Sequence, residues 1–275
     1  MMDQLTGQSN PDIELATPIA VGGALTTSEC RLAYAGQLGV DPFLPAEERF
    51  FPNPRDNVRH HTETFKRLES FAEGVYEKSN GRLVVVGHSF GGLMAVKLGL
   101  KRPDIVAAVK SEAGLQDGYR GTIGVRAVKL LVGDAEDADD AKHDSAHINE
   151  LHEEIASEWS PDVSLSLHSA LFDVCFPLPQ GLGIELPSGQ RPSRKIVAPN
   201  LPFFMQTLRL MIPDIPSDTE ILPSLYCTEH ILLPAADAEV NHTLELRRSV
   251  AAAEPAKTVK GSFTPAAEPQ LALAA

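Results

Sequence analysis

The stretch Arg82-Leu83-Val84-Val85-Val86-Gly87-His88-Ser89-Phe90-Gly91-Gly92 narrows the choice of fold more than any other part of this chain. Leucine followed by three valines favours an extended strand covered on both faces, as the strands of a parallel sheet are. The glycines beyond it permit a sharp turn. From Gly92 to Lys101 apolar residues recur at helical spacing until Arg102-Pro103 ends the pattern. Ile105 to Lys110 supplies the next strand. Strand, tight turn, helix, strand is the repeating unit of a parallel sheet wound with right-handed crossovers. The expectation is an α/β architecture, a mostly parallel central sheet flanked by helices.

The rest of the 275 residues fits around that unit, enough for one large domain with a buried sheet. Residues 1–16 are polar and read as a loose arm. Residues 17–25 read as a short apolar strand running into glycines. The four prolines of 41–57 suggest an extended surface connection. From His61 to Lys78 the spacing of Phe65, Leu68, Phe71 and Val75 predicts a helix, stopped by Ser79-Asn80-Gly81. Residues 124–132 fit a helix or a strand. The acidic stretch Asp134–Asp144 leads into a helix reaching about Trp159, and 163–171 alternates as a strand does. Residues 177–200 are rich in Pro and Gly and read as irregular, while 201–212 form an apolar amphipathic piece. Leu222–Cys227 is a last strand and 234–253 a last helix. The main domain is thus expected over 17–253, with 177–212 as a small cap or insert. The Ala-, Pro- and Glu-rich tail 254–275 is expected to be disordered.

Charge and cysteine content exclude several classes of function. A formal net charge of −13 repels phosphate backbones and anionic membrane surfaces, so a nucleic-acid partner is not expected. No run approaches the length of a membrane span, and the opening MMDQLTGQSNPD has no basic region followed by an apolar one. Cys30, Cys175 and Cys227 are scattered and odd in number, which gives no disulfide framework. A cytoplasmic location is the expectation. No HxxEH or HExxH motif calls for a metal, and neither the G-x-G-x-x-G nor the P-loop spacing for a nucleotide is present.

Within the turn, Gly87-His88-Ser89-Phe90-Gly91 is a G-x-S-x-G sequence. That pattern lifts a serine hydroxyl clear of a sheet on a strained strand-to-helix turn, where neighbouring backbones nearly touch and small residues are needed. The strand before it and the helix after it supply the required context, so Ser89 is the expected nucleophile. An oxyanion hole needs two backbone N–H groups. One belongs to Phe90, directly after the serine. Gly22-Gly23-Ala24 suits the loop that gives the other, from Gly23 or Ala24, though it also reads as an ordinary turn.

The acid and the base should follow the serine in chain order. His60, His61 and His88 precede Ser89, and His143, His147 and His152 fall in or beside the acidic helix and read as solvated. Three pairings remain: Asp173 with His230, each shortly after a strand; Asp134 with His168; and Glu229 with His242. A family resemblance bears on the choice. The region from about 61 to 118, around VVVGHSFGGLMAVKLGLKRPDIVAAVKSEA, resembles the nucleophile region of bacterial lipase- and esterase-type α/β hydrolases. LHSALFDVCFPL resembles that family's acid loop, which implies Asp173 as the acid and Pro177 as the proline that follows. CTEHILLP resembles the loop bearing the base and implies His230. The chain departs from the pattern at Val174, where glycine is usual, and in the long separation between 173 and 230.

In that scheme His230 takes the proton of Ser89 and later protonates the leaving alcohol, while Asp173 holds the imidazole tautomer. A small-molecule ester with an apolar acyl group is the expected substrate. No cofactor and no metal is required. Leu201–Ile212 reads equally as a cap over an acyl pocket or as a core helix. Amidase, lactonase, thioesterase or acyltransferase chemistry would use the same residues, and a non-catalytic binding protein of the same fold is the alternative outside enzymology.

Overall fold

Alternation along the strands decides which side chains the sheet presents to each face. Leu83 and Val85 point to one side with Ile19, Val21 and Val109, while Val84 and Val86 point to the other with Ala20 and Ala108. Both sets are buried, as expected of strands covered on two faces. The computed structural model of the chain describes residues 16–28, 49–54, 56–57, 60–79, 81–118, 145–170, 182–199, 215–224 and 237–253. In chain order the elements are β1 (Pro18–Ala24), β2 (Phe50–Asn53), α1 (His61–Glu77), β3 (Leu83–His88), α2 (Phe90–Lys101) and β4 (Val106–Glu112). They continue with α3 (Ala146–Glu158), β5 (Ser164–Ala170), β6 (Ser193–Pro199), β7 (Glu220–Ser224) and α4 (Asp237–Ala253).

The seven strands form one sheet in the order β2-β1-β3-β4-β5-β6-β7, and each neighbouring pair is parallel. The expected α/β class is therefore the observed one. On one face α1, α2 and α3 deliver Phe65, Leu68, Met94, Leu98, Leu151 and Ile155 to the larger core. The 12 residues of α2 are covered almost all round, which suits a helix wedged between the sheet and its neighbours. On the other face α4 brings Leu246 and Val250 against Ala20, Phe50, Val84, Val86 and Ala108. Arg247 of α4 donates from Nε to the carbonyl of Ala16 at 3.0 Å, so the chain just before β1 is tied to the last helix. Among the described residues no helix is long and apolar enough to cross a membrane.

Two strands correct the sequence reading. Residues 50–53 are not surface connection but β2, with Phe50 and Phe51 buried. Pro52 is tolerated because β2 is an edge strand, where a missing N–H need not break a ladder. Residues 193–199 are not irregular but β6, between β5 and β7. Its Arg194 is buried, with the guanidinium donating to the carbonyls of Leu182 (2.8 Å) and Ile184 (2.6 Å) and to Asp218 Oδ2 (2.7 Å). The last strand starts at Glu220, two residues before the expected Leu222, and is described to Ser224, with 225–227 outside the described residues; β4 runs on to Glu112. Residues 124–132, 201–212 and 254–275 lie outside the described residues.

Candidate active site

Because the strands are parallel, their carboxyl ends share one edge of the sheet, where such folds place their ligands. Three described residues other than glycine have positive φ: Leu25 at 66°, Ser89 at 55° and Ala113 at 45°. Each is the first residue past the carboxyl end of one of three adjacent strands, β1, β3 and β4. Left-handed backbone costs a non-glycine residue on the order of 1 kcal/mol and collects where a site needs it. The strain marks this edge.

Ser89 occupies the junction of β3 and α2 with φ 55° and ψ −123°. The turn is fixed by close approach of three backbones. A Cβ on Gly87 would lie 2.5 Å from the carbonyl carbon of Gly91 and 2.8 Å from Gly92 N. One on Gly91 would lie 2.5 Å from the carbonyl oxygen of Gly22. Gly91 is thus required by β1 rather than by β3. Gly92 is held as tightly from the other side, where a Cβ would stand 2.5 Å from Ser111 Oγ on β4. The Ser89 N–H donates to the carbonyl of Glu112 at 2.9 Å, and the Ser89 carbonyl accepts from Gly92 N (2.9 Å) and Leu115 N (3.3 Å). A parallel seven-stranded sheet with this serine turn after a central strand is the α/β-hydrolase fold.

Phe90 opens α2 directly after Ser89, so its N–H is among those with no partner within the helix. Gly23 and Ala24 end β1 beside the turn, since Val21 pairs with Gly87 in register. Their turn is held by Thr26, whose Oγ1 donates to the carbonyl of Gly23 at 2.9 Å and accepts from Asn53 N at 2.9 Å. The buried amide of Asn53 also donates to the carbonyl of Gly22. The structure therefore brings Ser89, Phe90, Gly23 and Ala24 to one edge. Asp173 and His230 lie outside the described residues, as do Asp134 and Glu229. His242 falls on α4. His168 is buried inside β5, and Ser166 Oγ lies 3.0 Å from its Nε2.

The loop after β4 forms a further wall of this edge. Asp117 is buried there, with Oδ2 accepting from Gly183 N at 3.0 Å and Oδ1 standing 3.5 Å from His152 Nε2. His152 is not solvated as its place in an acidic helix suggested. It is half-buried, with Nε2 also 2.8 Å from the carbonyl of Gln116, and the Asp117 carboxylate raises its pKa above the ordinary histidine value against the opposing effect of burial. Sequence reasoning missed this pair because Asp117 and His152 lie on different elements with no motif to join them. His147, likewise read as solvated, is half-buried with its ring 4.9 Å from that of His61.

A row of titratable side chains crosses the sheet just beneath the edge. His88, Glu112 and His168 pair in register on β3, β4 and β5, and all are buried. Lys110 Nζ lies 2.5 Å from Glu112 Oε1 and donates to Thr243 Oγ1 of α4 at 2.9 Å. Among the described residues no group of three His, Cys, Asp or Glu is placed to hold a metal ion.

No protein-family model and no curated protein matches this sequence. Among solved structures, the chain is similar to the monoacylglycerol lipase of Paleococcus ferrophilus, at 14% identity over 87% of this chain and 97% of that one, with a TM-score of 0.42. It is similar to fluorophosphonate-binding serine hydrolase F of Staphylococcus aureus at 14% identity over 88% of each chain, with a TM-score of 0.45. A lipase of Bacillus licheniformis overlaps at 12% identity over 88% of this chain and 94% of that one, with a TM-score of 0.48.

Proposed function

We propose that this chain is a serine hydrolase that cleaves carboxylic esters through an acyl-enzyme on Ser89. The observation that carries the reading is the strained Ser89 turn, which holds a serine at φ 55° between a buried strand and a helix N-terminus. A serine needs no such backbone to pack or to cap a helix, and Ser89 makes no side-chain capping bond. It is what a hydroxyl needs to stand clear of a sheet edge.

In this scheme Ser89 Oγ attacks the ester carbonyl as His230 takes its proton. The N–H groups of Phe90 and of Gly23 or Ala24 donate to the developing oxyanion. His230 then passes the proton to the departing alcohol, and water repeats the sequence to free the acid. Asp173 orients His230. What supports this assignment is chain order together with topology. β5 and β7 end at the same edge as Ser89, and Asp173 and His230 follow them shortly in sequence.

Neutral, apolar acyl groups suit the charge pattern. The two lysines of α2 are occupied elsewhere, Lys97 over the Phe65 ring at 5.1 Å and Lys101 against Glu154 at 2.7 Å. Leu201–Ile212 would then serve as the apolar cap. The test is fluorophosphonate labelling with p-nitrophenyl esters from acetyl to octanoyl. Ser89→Ala is expected to lose both labelling and turnover while still folding, and labelling that survives this substitution overturns the assignment. Rates should climb with acyl length, as each buried methylene adds about 0.8 kcal/mol. A flat or falling profile removes the apolar-acyl reading.

A further inference from the structure

Leu25 stands out in two ways. It is the one large apolar side chain that stands exposed among the described residues, at 40% of its surface. It also holds φ 66°, a conformation glycine or asparagine would adopt with far less strain. The other two positive-φ residues, Ser89 and Ala113, are buried.

The conformation is imposed by its surroundings. Gly22 cannot shift, because its carbonyl meets Gly91 of the elbow on one side and the Asn53 amide on the other. Thr26 cannot shift either, being buried and bonded at once to the carbonyl of Gly23 and to Asn53 N. Between these anchors the chain must reverse within three residues, and the Thr26 N–H closes the turn on the carbonyl of Gly23 at 3.3 Å. Leu25 lies at the exposed corner of that turn, directly after Gly23 and Ala24 and at the edge that carries Ser89.

We infer that Leu25 is a specificity-determining residue of the Ser89 site, an apolar lip that covers the bound acyl chain and favours longer acyl groups. The inference rests on the proposed hydrolase reading. A strained backbone holds this apolar side chain out at the edge that carries Ser89, where an apolar ligand would cover it. The substrate would thereby desolvate the Leu25 side chain, and acetyl esters would be too short to do so.

The experiment compares kcat/KM on octanoyl and acetyl p-nitrophenyl esters for wild type, Leu25→Gly, Leu25→Asn and Leu25→Met, with melting temperatures alongside. Glycine and asparagine accept the left-handed turn, so neither should unfold the protein. The octanoyl-to-acetyl ratio is expected to fall about five-fold or more in both, from loss of apolar contact. Leu25→Met should keep most of the ratio. Leu25→Gly should raise the melting temperature by about one to three degrees as the strain is relieved. An unchanged ratio in Leu25→Gly, with fluorophosphonate labelling intact, overturns the role of Leu25 alone. A lowered melting temperature in Leu25→Gly also overturns it, since Leu25 would then be supporting the fold. Loss of labelling in the wild type overturns the hydrolase reading itself and Leu25's role with it.

Discussion

The carboxylate of Asp117 and the imidazole of His152 face each other at 3.5 Å across the gap between the loop after β4 and the middle of α3. Asp117 also receives the Gly183 N–H, and the Leu115 N–H of the same loop bonds the carbonyl of Ser89. One acid–imidazole pair thus joins α3, the 182–184 segment and the serine turn through a single short loop. It gives that wall of the site a dependence on pH.

The direction follows from the His152 shift. Its folded pKa is raised by Asp117, so the pair's contribution is complete below about pH 6.5, the ordinary histidine value, and fades as pH climbs through the raised folded value. Asp117 is the charged group acting on it among the described residues. His152→Gln should therefore cost about 1 kcal/mol near pH 6 and progressively less toward pH 9. Urea denaturation of wild type and variant across that range measures the difference. A gap that widens with pH contradicts the pairing.

Much of the fold was legible because β3 and α2 carry unbroken apolar patterns that only a doubly covered strand and a buried helix can satisfy. The missed pieces were those in which polar residues are buried. β6 begins Ser193-Arg194-Lys195, which reads as surface until the carbonyls of Leu182 and Ile184 are seen to take the guanidinium. β4 read as ending at Lys110, although Lys110, Ser111 and Glu112 are all buried. The serine turn was legible because its glycines answer a local need for contact between backbones. The Asp117–His152 pair was not, since it depends on how two distant elements pack.

The strain at Ser89 is separable from its chemistry. Ser89→Gly relieves a positive φ and should gain about 1 kcal/mol of stability, less the entropy that glycine adds to the unfolded chain. Ser89→Ala keeps the strain and should stay within about 0.5 kcal/mol of wild type. Both should lose fluorophosphonate labelling. Thermal denaturation of the two variants side by side reads the strain directly, and a Ser89→Gly protein clearly less stable than Ser89→Ala would show that the turn is not strained.

Gly91 tests the three-backbone contact. Its Cβ position falls against the carbonyl oxygens of Val21 and Gly22, the first held by the β1 pairing with β3 and the second by the Asn53 amide. Gly91→Ala should cost at least about 1–3 kcal/mol, the range for an overpacked core. Gly74, on the outer part of α1, has nothing within reach of a Cβ, and Gly74→Ala should be neutral or stabilising by up to about 1 kcal/mol. Equal effects from the two alanines, read by denaturant midpoint, would contradict the packing.

The Lys110–Glu112 pair tests whether the charges beneath the elbow serve the fold or merely survive in it. Both side chains are fully buried, their ends are 2.5 Å apart, and Thr243 of α4 takes a further proton of the ammonium. Removing one charge takes the ion-pair partner from the other in a low-dielectric interior, so Glu112→Gln or Lys110→Met alone should cost about 3–5 kcal/mol. Removing both together replaces the pair by neutral groups of similar length and should recover most of that loss, because the desolvation cost disappears with the attraction. The serine turn is held by the backbone carbonyl of Glu112 rather than by its side chain, so the double variant should keep the Ser89 N–H bond and still label with fluorophosphonate. Urea denaturation of the two single variants and the double one closes the cycle. Two single losses that simply add in the double variant would mean that the two charges do not stabilise each other along β4.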